Sequence, residues 1–486
     1  MKTFLQTLFF FLLVTQICFA QGVLQRSSSQ IGISLSPIDS VIKTFMLTNR
    51  IPGLAACVVK GNSIGWEGYY GLDNIELQDS VNQNTIFMLA SVSKPFIVTA
   101  LMQLWQQNKF QLDDSINGYL PFQVRNPNFP SSVITFKQLL THFSSIRDTW
   151  PLMPEFLGDP TIELGMYLEE YLTPGGLYYS ASNYSNINPP ASQYNYSNVG
   201  ASLCAYLVEV LANKPFDQFC QDSIFIPLRM TDTGWFLRDI DTTLIARPYT
   251  WNGMYDDLGL RGFSYYPAIQ LRTTLKSLAL FLSANICYGK VNGKRILDSS
   301  TVSLIRTSQY PSIDPTQGLI WYSVLLGQRL IWGHAGIFDG VRAAIWLDED
   351  NRNGVILLAN MVPTTSIAPI MEALFTMADT ITVGVGDNDQ WFVQPSQYFL
   401  EQNYPNPFNP STVISYQLPV SGKATLKVYD ILGKEIATLV DEEKPAGSYE
   451  IEFYSKVGSN QLASGIYYYQ MRSGDFVQTK KMILLK

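Results

Sequence analysis

Ser91-Val92-Ser93-Lys94 places a hydroxyl and an amine three residues apart, on one face if a helix starts there. A serine hydroxyl is a weak nucleophile until a neighbouring base takes its proton, and a lysine kept neutral by its surroundings can be that base. This spacing recurs by chance in a chain of this length, so it needs companions. Tyr-Ser-Asn occurs twice, as Tyr184-Ser185-Asn186 and as Tyr196-Ser197-Asn198. The first runs into Ile187-Asn188-Pro189-Pro190, a poor start for a helix, and is expected to be a solvated loop. The second leads into Val199, Leu203, Leu207 and Val210 at helical spacing, which selects Tyr196 and Asn198. A third element, His334-Ala335-Gly336, is expected at a strand edge, where a small residue and a glycine let substrate lie against the backbone.

These residues need elements to hold them. Ile97, Ala100, Leu101 and Leu104 continue a helix behind Lys94, with Pro95 tolerated in its first turn. Leu54 to Val59 reads as a buried strand, Gly61-Asn62 as a turn, and Ile64, Trp66 and Tyr70 as the return strand. Much later, Leu330 to Trp332, Val341 to Trp346 and Val355 to Leu358 are short apolar runs. A helix follows them, with Ile367, Ile370, Met371, Leu374 and Ala378 on one face. Residues 91 to 310 read as mostly helix and loop. Strands at both ends with helices between imply one α+β domain whose sheet is built from its two ends.

From about residue 384 glycines and turn formers break the helical pattern. Residues 384–402 read as a linker and residues 403–486 as a small all-β, immunoglobulin-like sandwich, with alternation in Ala424 to Tyr429, Tyr449 to Phe453 and Gly465 to Met471. At the other end, Lys2, the apolar run Phe4 to Ile17 and Cys18-Phe19-Ala20 form a signal-peptide pattern over residues 1–20. That run is shorter than the roughly 20 residues that span a bilayer, so no stable transmembrane segment is expected after cleavage. The remaining residues, 21–383, form the first domain.

Composition narrows the function. With 47% hydrophobic residues in 486 the chain has enough material for a sizeable core. Forty acidic against 33 basic residues, a net charge of −7, leave no basic footprint for nucleic acid. Cys57, Cys204, Cys220 and Cys287 show no C-x-x-C spacing and no pairing with the two histidines, so neither a metal nor a cofactor is expected. Cys204 and Cys220 would meet if their segments form a helical hairpin; small buried thiols are the default. Asp348-Glu349-Asp350 with Asn351 and Gly354 suggests a calcium loop, but Arg352 occupies a ligand spacing and a polar hairpin turn is expected instead.

In this order the three elements resemble the serine β-lactamase and penicillin-binding family, especially its class C β-lactamase, D-alanyl-D-alanine carboxypeptidase and esterase branch. The resemblance runs from about residue 40 to 380. It takes in Ile51-Pro52-Gly53-Leu54, Leu139-Leu140-Thr141-His142, Phe225-Ile226-Pro227-Leu228-Arg229-Met230 and Leu358-Ala359-Asn360. It implies a β-lactamase/transpeptidase-like fold, an antiparallel sheet flanked by helices plus a helical region. It also implies a secreted serine hydrolase for a small-molecule or peptide substrate. Ser91 attacks a carbonyl, Lys94 and Tyr196 move its proton, and Asn198, His334 and Gly336 meet the substrate. The backbone N–H groups of Ser91 and Ile337 form the oxyanion hole, and water then cleaves the acyl-enzyme. Lys94 and Tyr196 are treated as a coupled pair, with the choice of base open. His334 stands where many of the family's β-lactamases carry lysine, while its peptidases and esterases include the histidine form. Peptide, amide or ester substrates are therefore expected, with a true β-lactamase or a non-catalytic penicillin-binding-like protein as alternatives. His142 matches the family's Thr-His segment and is read as structural; Ser145 replaces the usual glycine after it.

The C-terminal module carries Asn403-Tyr404-Pro405-Asn406-Pro407-Phe408-Asn409-Pro410, Tyr429-Asp430-Ile431-Leu432-Gly433-Lys434 and a final Lys480-Lys481-Met482-Ile483-Leu484-Leu485-Lys486. These resemble the C-terminal sorting domain of the bacterial type IX secretion system. The resemblance implies that system's machinery as a partner and an extracellular or cell-surface location reached through the periplasm.

Overall fold

A computed structural model describes residues 37–381, 398–400, 402–403, 406–444, 447–457 and 460–485. The expected signal peptide, residues 1–20, lies outside the described residues, as does most of the expected linker. The chain divides into two compact units, one up to residue 385 and one from residue 386.

In the first unit, helix α1 (Pro37–Asn49) precedes the hairpin β1 (Gly53–Lys60) and β2 (Ser63–Asn74), with the short β3 (Asp79–Ser80) beside it. Helices α2 (Lys94–Gln106), α3 (Asn198–Ala212) and α4 (Leu275–Ile286) follow in the middle of the chain. Strands β4 (Tyr322–Leu326), β5 (Arg329–Phe338), β6 (Val341–Asp348) and β7 (Asn353–Ala359) then lead to helix α5 (Ala368–Thr380). The sheet runs β4-β5-β6-β7-β1-β2-β3 and every pair in it is antiparallel. The two ends of the unit meet where β1 pairs with β7, Leu54 opposite Ala359 through Lys60 opposite Asn353.

Alternation sorts the strand residues between two faces. Leu54, Ala56 and Val58 of β1, Ala344 and Trp346 of β6, and Val355 and Leu357 of β7 pack against Ile38, Ile42 and Met46 of α1 and Ile370, Leu374 and Phe375 of α5. The other face lies against α4, where Gly354 leaves room for Leu282 and Ile286. Asn360 joins the strand ends: its Oδ1 accepts from Gly53 N–H (2.7 Å) and its Nδ2 donates to Leu72 O (3.1 Å).

The architecture agrees with the expected antiparallel sheet flanked by helices, with local differences. Strand β4 was not expected; it is short, and its residues are half-buried except for the buried Ser323 and the exposed Leu325, so polarity and burial do not alternate along it. The middle of the chain also holds small sheets, such as Ile86–Met88 with Arg272–Thr274 and Thr233–Gly234, whose strands are too short to show a period. Cys204 and Cys220 are buried free thiols and form no disulfide. Asp348 ends β6 and its carboxylate accepts from Arg329 and from Asn351 in the turn that follows, in keeping with a polar hairpin turn.

In the second unit, Ser411–Leu418 pairs with Gly447–Tyr454 and Phe399–Leu400. A four-stranded sheet runs Glu435–Lys444, Gly422–Tyr429, Gly465–Ser473, Phe476–Leu484. Ile414, Tyr416 and Leu418 from the first sheet share a core with Leu426, Val428, Tyr469, Met471 and Met482 from the second. Among the described residues no helix of either unit is long and apolar enough to cross a membrane.

Candidate active site

Ser91 lies in a 3-10 turn, Ala90–Ser93, that leads directly into α2. Ala90, just before it, has φ of +46°, a left-handed conformation that costs a residue with a side chain about 1–2 kcal/mol. Ser93 holds the turn in place: its Oγ donates to Ala90 O (2.7 Å) and accepts from Leu271 N–H (3.1 Å). One helical turn puts Lys94 back beside Ser91, and Lys94 is fully buried. Its Nζ lies 3.0 Å from Ser91 Oγ and donates to Asn198 Oδ1 (2.6 Å) and Ala268 O (2.9 Å). Burial pushes the Lys94 amine down to about 7, with the Asp148 carboxylate opposing. A neutral amine has two hydrogens and one lone pair. The two carbonyl oxygens take the hydrogens, and the lone pair is left facing Ser91.

Tyr196 and Asn198 come from the start of α3. Tyr196 OH donates to Ser91 Oγ (2.8 Å), and Lys94 Nζ stands 4.8 Å from the centre of the tyrosine ring. Burial raises the Tyr196 phenol well above its ordinary value, so it stays protonated. Ser197 caps α3, its Oγ accepting from Gly200 N–H (2.9 Å) and donating to Asp148 Oδ1 (2.9 Å). Asp148 Oδ2 accepts from Asn198 N–H and Asn198 Nδ2, both at 2.8 Å, and Asp148 Oδ1 also accepts from Val199 N–H (3.2 Å). A carboxylate at a helix N-terminus is stabilised by the orphan N–H groups there. Here it also turns the Asn198 amide so that its oxygen faces Lys94. Asp148 was missed by sequence reasoning, because it lies 50 residues from the N–H groups that it satisfies and no local pattern marks it.

His142 is buried behind this pair, with its ring centre 4.5 Å from that of Tyr196 and Nδ1 accepting from Ser197 N–H (3.3 Å). Burial, and then the nearby Lys94, hold it neutral. It supports the tyrosine from behind, in keeping with a structural role. Ser145 has φ of +64°, the left-handed backbone that suits the glycine it replaces.

His334, Gly336 and Ile337 lie on β5. A Cβ on Gly336 would sit 2.2 Å from Leu89 O and 3.2 Å from Ser91 N, so the glycine lets the strand close on the serine's own turn. This close approach is a requirement for the glycine in addition to the expected room for substrate. His334 is buried between Tyr322 and Tyr196, with Nδ1 2.8 Å from Ala335 O. Since a carbonyl only accepts, Nδ1 carries the proton and Nε2 is the free lone pair. Burial, helped by Lys94, pushes His334 down to about 3, so it brings no charge to the site. Ser91, Tyr196, Asn198 and Ile337 line one cavity of about 340 Å3 together with Arg147, Asp148, Trp150, Asn195, Ile269 and Phe338.

The other Tyr-Ser-Asn copy is not the solvated loop expected of it. Tyr184 is 1% exposed and its OH donates to Leu172 O (2.8 Å), while Ser185 O accepts from Asn126 Nδ2 (2.8 Å). Only Asn186 and the residue after it face solvent, because the segment returns beneath the 145–148 loop and bonds to it through Ser185 N–H and Ser145 O (2.8 Å).

Comparison with known proteins places this arrangement. The family profile described as Beta-lactamase matches residues 38–373. The one described as Secretion system C-terminal sorting domain, the type IX sorting domain, matches residues 402–485. The chain is similar to Protein flp of Staphylococcus aureus (strain MW2), 22% identical over 336 residues, 68% of this chain and 63% of that protein. It is 24% identical to Beta-lactamase-like protein 2 of Dictyostelium discoideum over 370 residues, 73% of this chain and 64% of that one. The chain thus spans less than two thirds of the length of these relatives. Among solved structures, the D-alanine carboxypeptidase AmpC of Burkholderia cenocepacia superposes with TM-score 0.55 at 20% identity, covering 70% of this chain and 97% of that one. An octameric penicillin-binding protein homologue from Pyrococcus abyssi gives TM-score 0.57 at 14% identity, covering 92% and 100%. At such identities the superpositions establish the fold.

The anchoring of α3 by Asp148 predicts a stability effect. Asp148→Ala strands the Asn198 and Val199 N–H groups, and a loss of about 2 kcal/mol is expected in denaturant unfolding. An unchanged midpoint would mean that water replaces the carboxylate at no cost.

Proposed function

The chain belongs to the beta-lactamase family, and on that premise we propose that it is a secreted serine hydrolase acting on ester, amide or peptide substrates through an acyl-enzyme on Ser91. The observation that carries this reading is the convergence of Lys94 and Tyr196 on Ser91 Oγ, at 3.0 and 2.8 Å. With its amine near 7 and its phenol partner far above 10, the pair divides the work: Lys94 is the base and Tyr196 the hydrogen-bond donor and proton relay. As Ser91 attacks the carbonyl, its proton passes to Lys94, and Tyr196 carries a proton on to the leaving group. The N–H groups of Ser91 and Ile337 receive the developing oxyanion, and water later cleaves the ester on Ser91 by the reverse proton path.

Asn198 orients Lys94 through its oxygen and offers its remaining amide hydrogen to substrate. His334 is neutral on β5 with its Nε2 buried, so a permanent positive charge for a substrate carboxylate is missing at that position. This favours ester and amide hydrolysis over β-lactam turnover. The sorting domain points to export by the type IX machinery to the cell surface or the extracellular space, which puts the substrate outside the cell.

Three outcomes are expected. Intact-mass analysis of the wild-type protein with penicillin or an activated ester should show a covalent adduct that Ser91→Ala lacks, with steady-state hydrolysis reduced at least about 1000-fold in the variant. Turnover by Ser91→Ala at the wild-type rate would sink the proposal. In the wild type, kcat/KM should fall about tenfold per unit as pH drops below the Lys94 value of about 7, because the protonated amine cannot accept. Asp148→Asn removes the charge that raises the Lys94 value, so its acid limb should lie at lower pH; a limb moved upward would contradict the assignment.

A further inference from the structure

The two N–H groups assigned to the oxyanion, those of Ser91 and Ile337, are each held from behind. In a trans peptide unit the C=O points away from the N–H, so whatever grips the C=O sets the aim of the N–H. For Ser91 that carbonyl is Ala90 O, which accepts from Ser93 Oγ (2.7 Å). For Ile337 it is Gly336 O, to which Arg342 Nη1 donates (3.1 Å).

Strand pairing fixes the direction. β4 stays beside β5 only as far as Gly333, opposite Tyr322, so Ile337 lies beyond the reach of that strand, and it lines the Ser91 cavity. On the other edge of β5, Gly336 lies opposite Ala343 and Ile337 opposite Arg342 of β6. Alternation puts Arg342 on the face of the sheet that carries Ala344 and Trp346 toward α1 and α5, whereas a Cβ on Gly336 would meet the turn before Ser91. The guanidinium therefore comes to Gly336 O from the face away from the serine, and it is not among the residues that line the cavity.

Arg342 is buried; its Nη1 also donates to Ala343 O (3.2 Å), and among the described residues no carboxylate pairs with it. A buried guanidinium without a counter-charge is costly. Here neutral carbonyl oxygens take up its hydrogens, so its charge acts on the peptide units that it holds. A cation on the C=O of a unit draws electron density from it and makes its N–H a stronger donor to a negative oxygen.

We infer that Arg342 is a positioning residue for acyl transfer: through Gly336 O it aims and polarises the Ile337 N–H that receives the oxyanion. The inference rests on the serine-hydrolase reading and adds to it a residue that meets neither Ser91 nor the cavity.

Hydrolysis of p-nitrophenyl acetate and inhibition by phenylboronic acid, both with the full chain, test it. The boronic acid bonds to Ser91 Oγ and places a negative oxygen where the oxyanion forms. Arg342→Met keeps much of the apolar stem and removes the charge. Its kcat should fall about tenfold with KM unchanged, a fraction of the roughly 100- to 1000-fold that loss of a whole oxyanion donor costs. Affinity for the boronic acid should fall by the same factor, because both complexes use the same donor. If the methionine variant does not fold, as circular dichroism reads it, Arg342→Lys takes its place; it keeps the charge and a donor, and its two losses should be smaller, about threefold, and again equal. No loss, a loss confined to KM, or a fall in kcat without the matching fall in boronic acid affinity overturns this inference while Ser91-dependent turnover leaves the hydrolase reading standing. Equal turnover by the wild type and Ser91→Ala overturns both.

Discussion

A lysine amine held out of water next to a serine hydroxyl is unfavourable when charged, and the surrounding elements are arranged so that it need not be. Lys94 meets two carbonyl oxygens and one hydroxyl, a set that satisfies a neutral amine completely. The oxygens come from separate parts of the chain. Ala268 lies just before the Arg272–Thr274 strand, and Asn198 opens α3 under the control of Asp148. Ser91 itself is placed by a short turn pinned to Leu271. Moving either carbonyl oxygen away would leave one buried N–H of the amine without its acceptor, a cost of about 1–3 kcal/mol. The packing of α2 against α3 and of the turn against β5 is therefore bound to the protonation state of one side chain.

The sheet contributes by closeness. Gly336 lets β5 approach the serine turn until a methyl group would collide with Leu89 O. The same approach brings Ile337 into the wall of the cavity. His334 is buried deeply enough in that strand to stay neutral. The C-terminal unit is separate, with its own core between two sheets, and its family match concerns export rather than chemistry.

Much of this was legible in the sequence. Ser91 with Lys94, the choice of the second Tyr-Ser-Asn over the first, and His334-Ala335-Gly336 were readable because each is a local pattern set on an element with a clear period. The sheet's hairpin and its three late strands were readable for the same reason. Asp148, β4 and the burial of Tyr184 were not. Asp148 acts on N–H groups 50 residues away, β4 is half-exposed at the sheet edge, and Tyr184 is buried by a loop closure that leaves no periodicity. The close approach of Gly336 to the backbone before Ser91 was not legible, because the two lie far apart in the sequence and only the fold brings them together.

The central claim is that the Lys94 amine titrates near 7, so that its neutral form is well populated at physiological pH. It can be read directly by carbon-13 NMR of protein labelled at the lysine ε-carbons, with the Lys94 signal assigned by its loss in Lys94→Arg. Its chemical shift should titrate with a midpoint near 7, far from the other lysines. A midpoint at the ordinary lysine value, about 10.4, would contradict the account and remove Lys94 as the base.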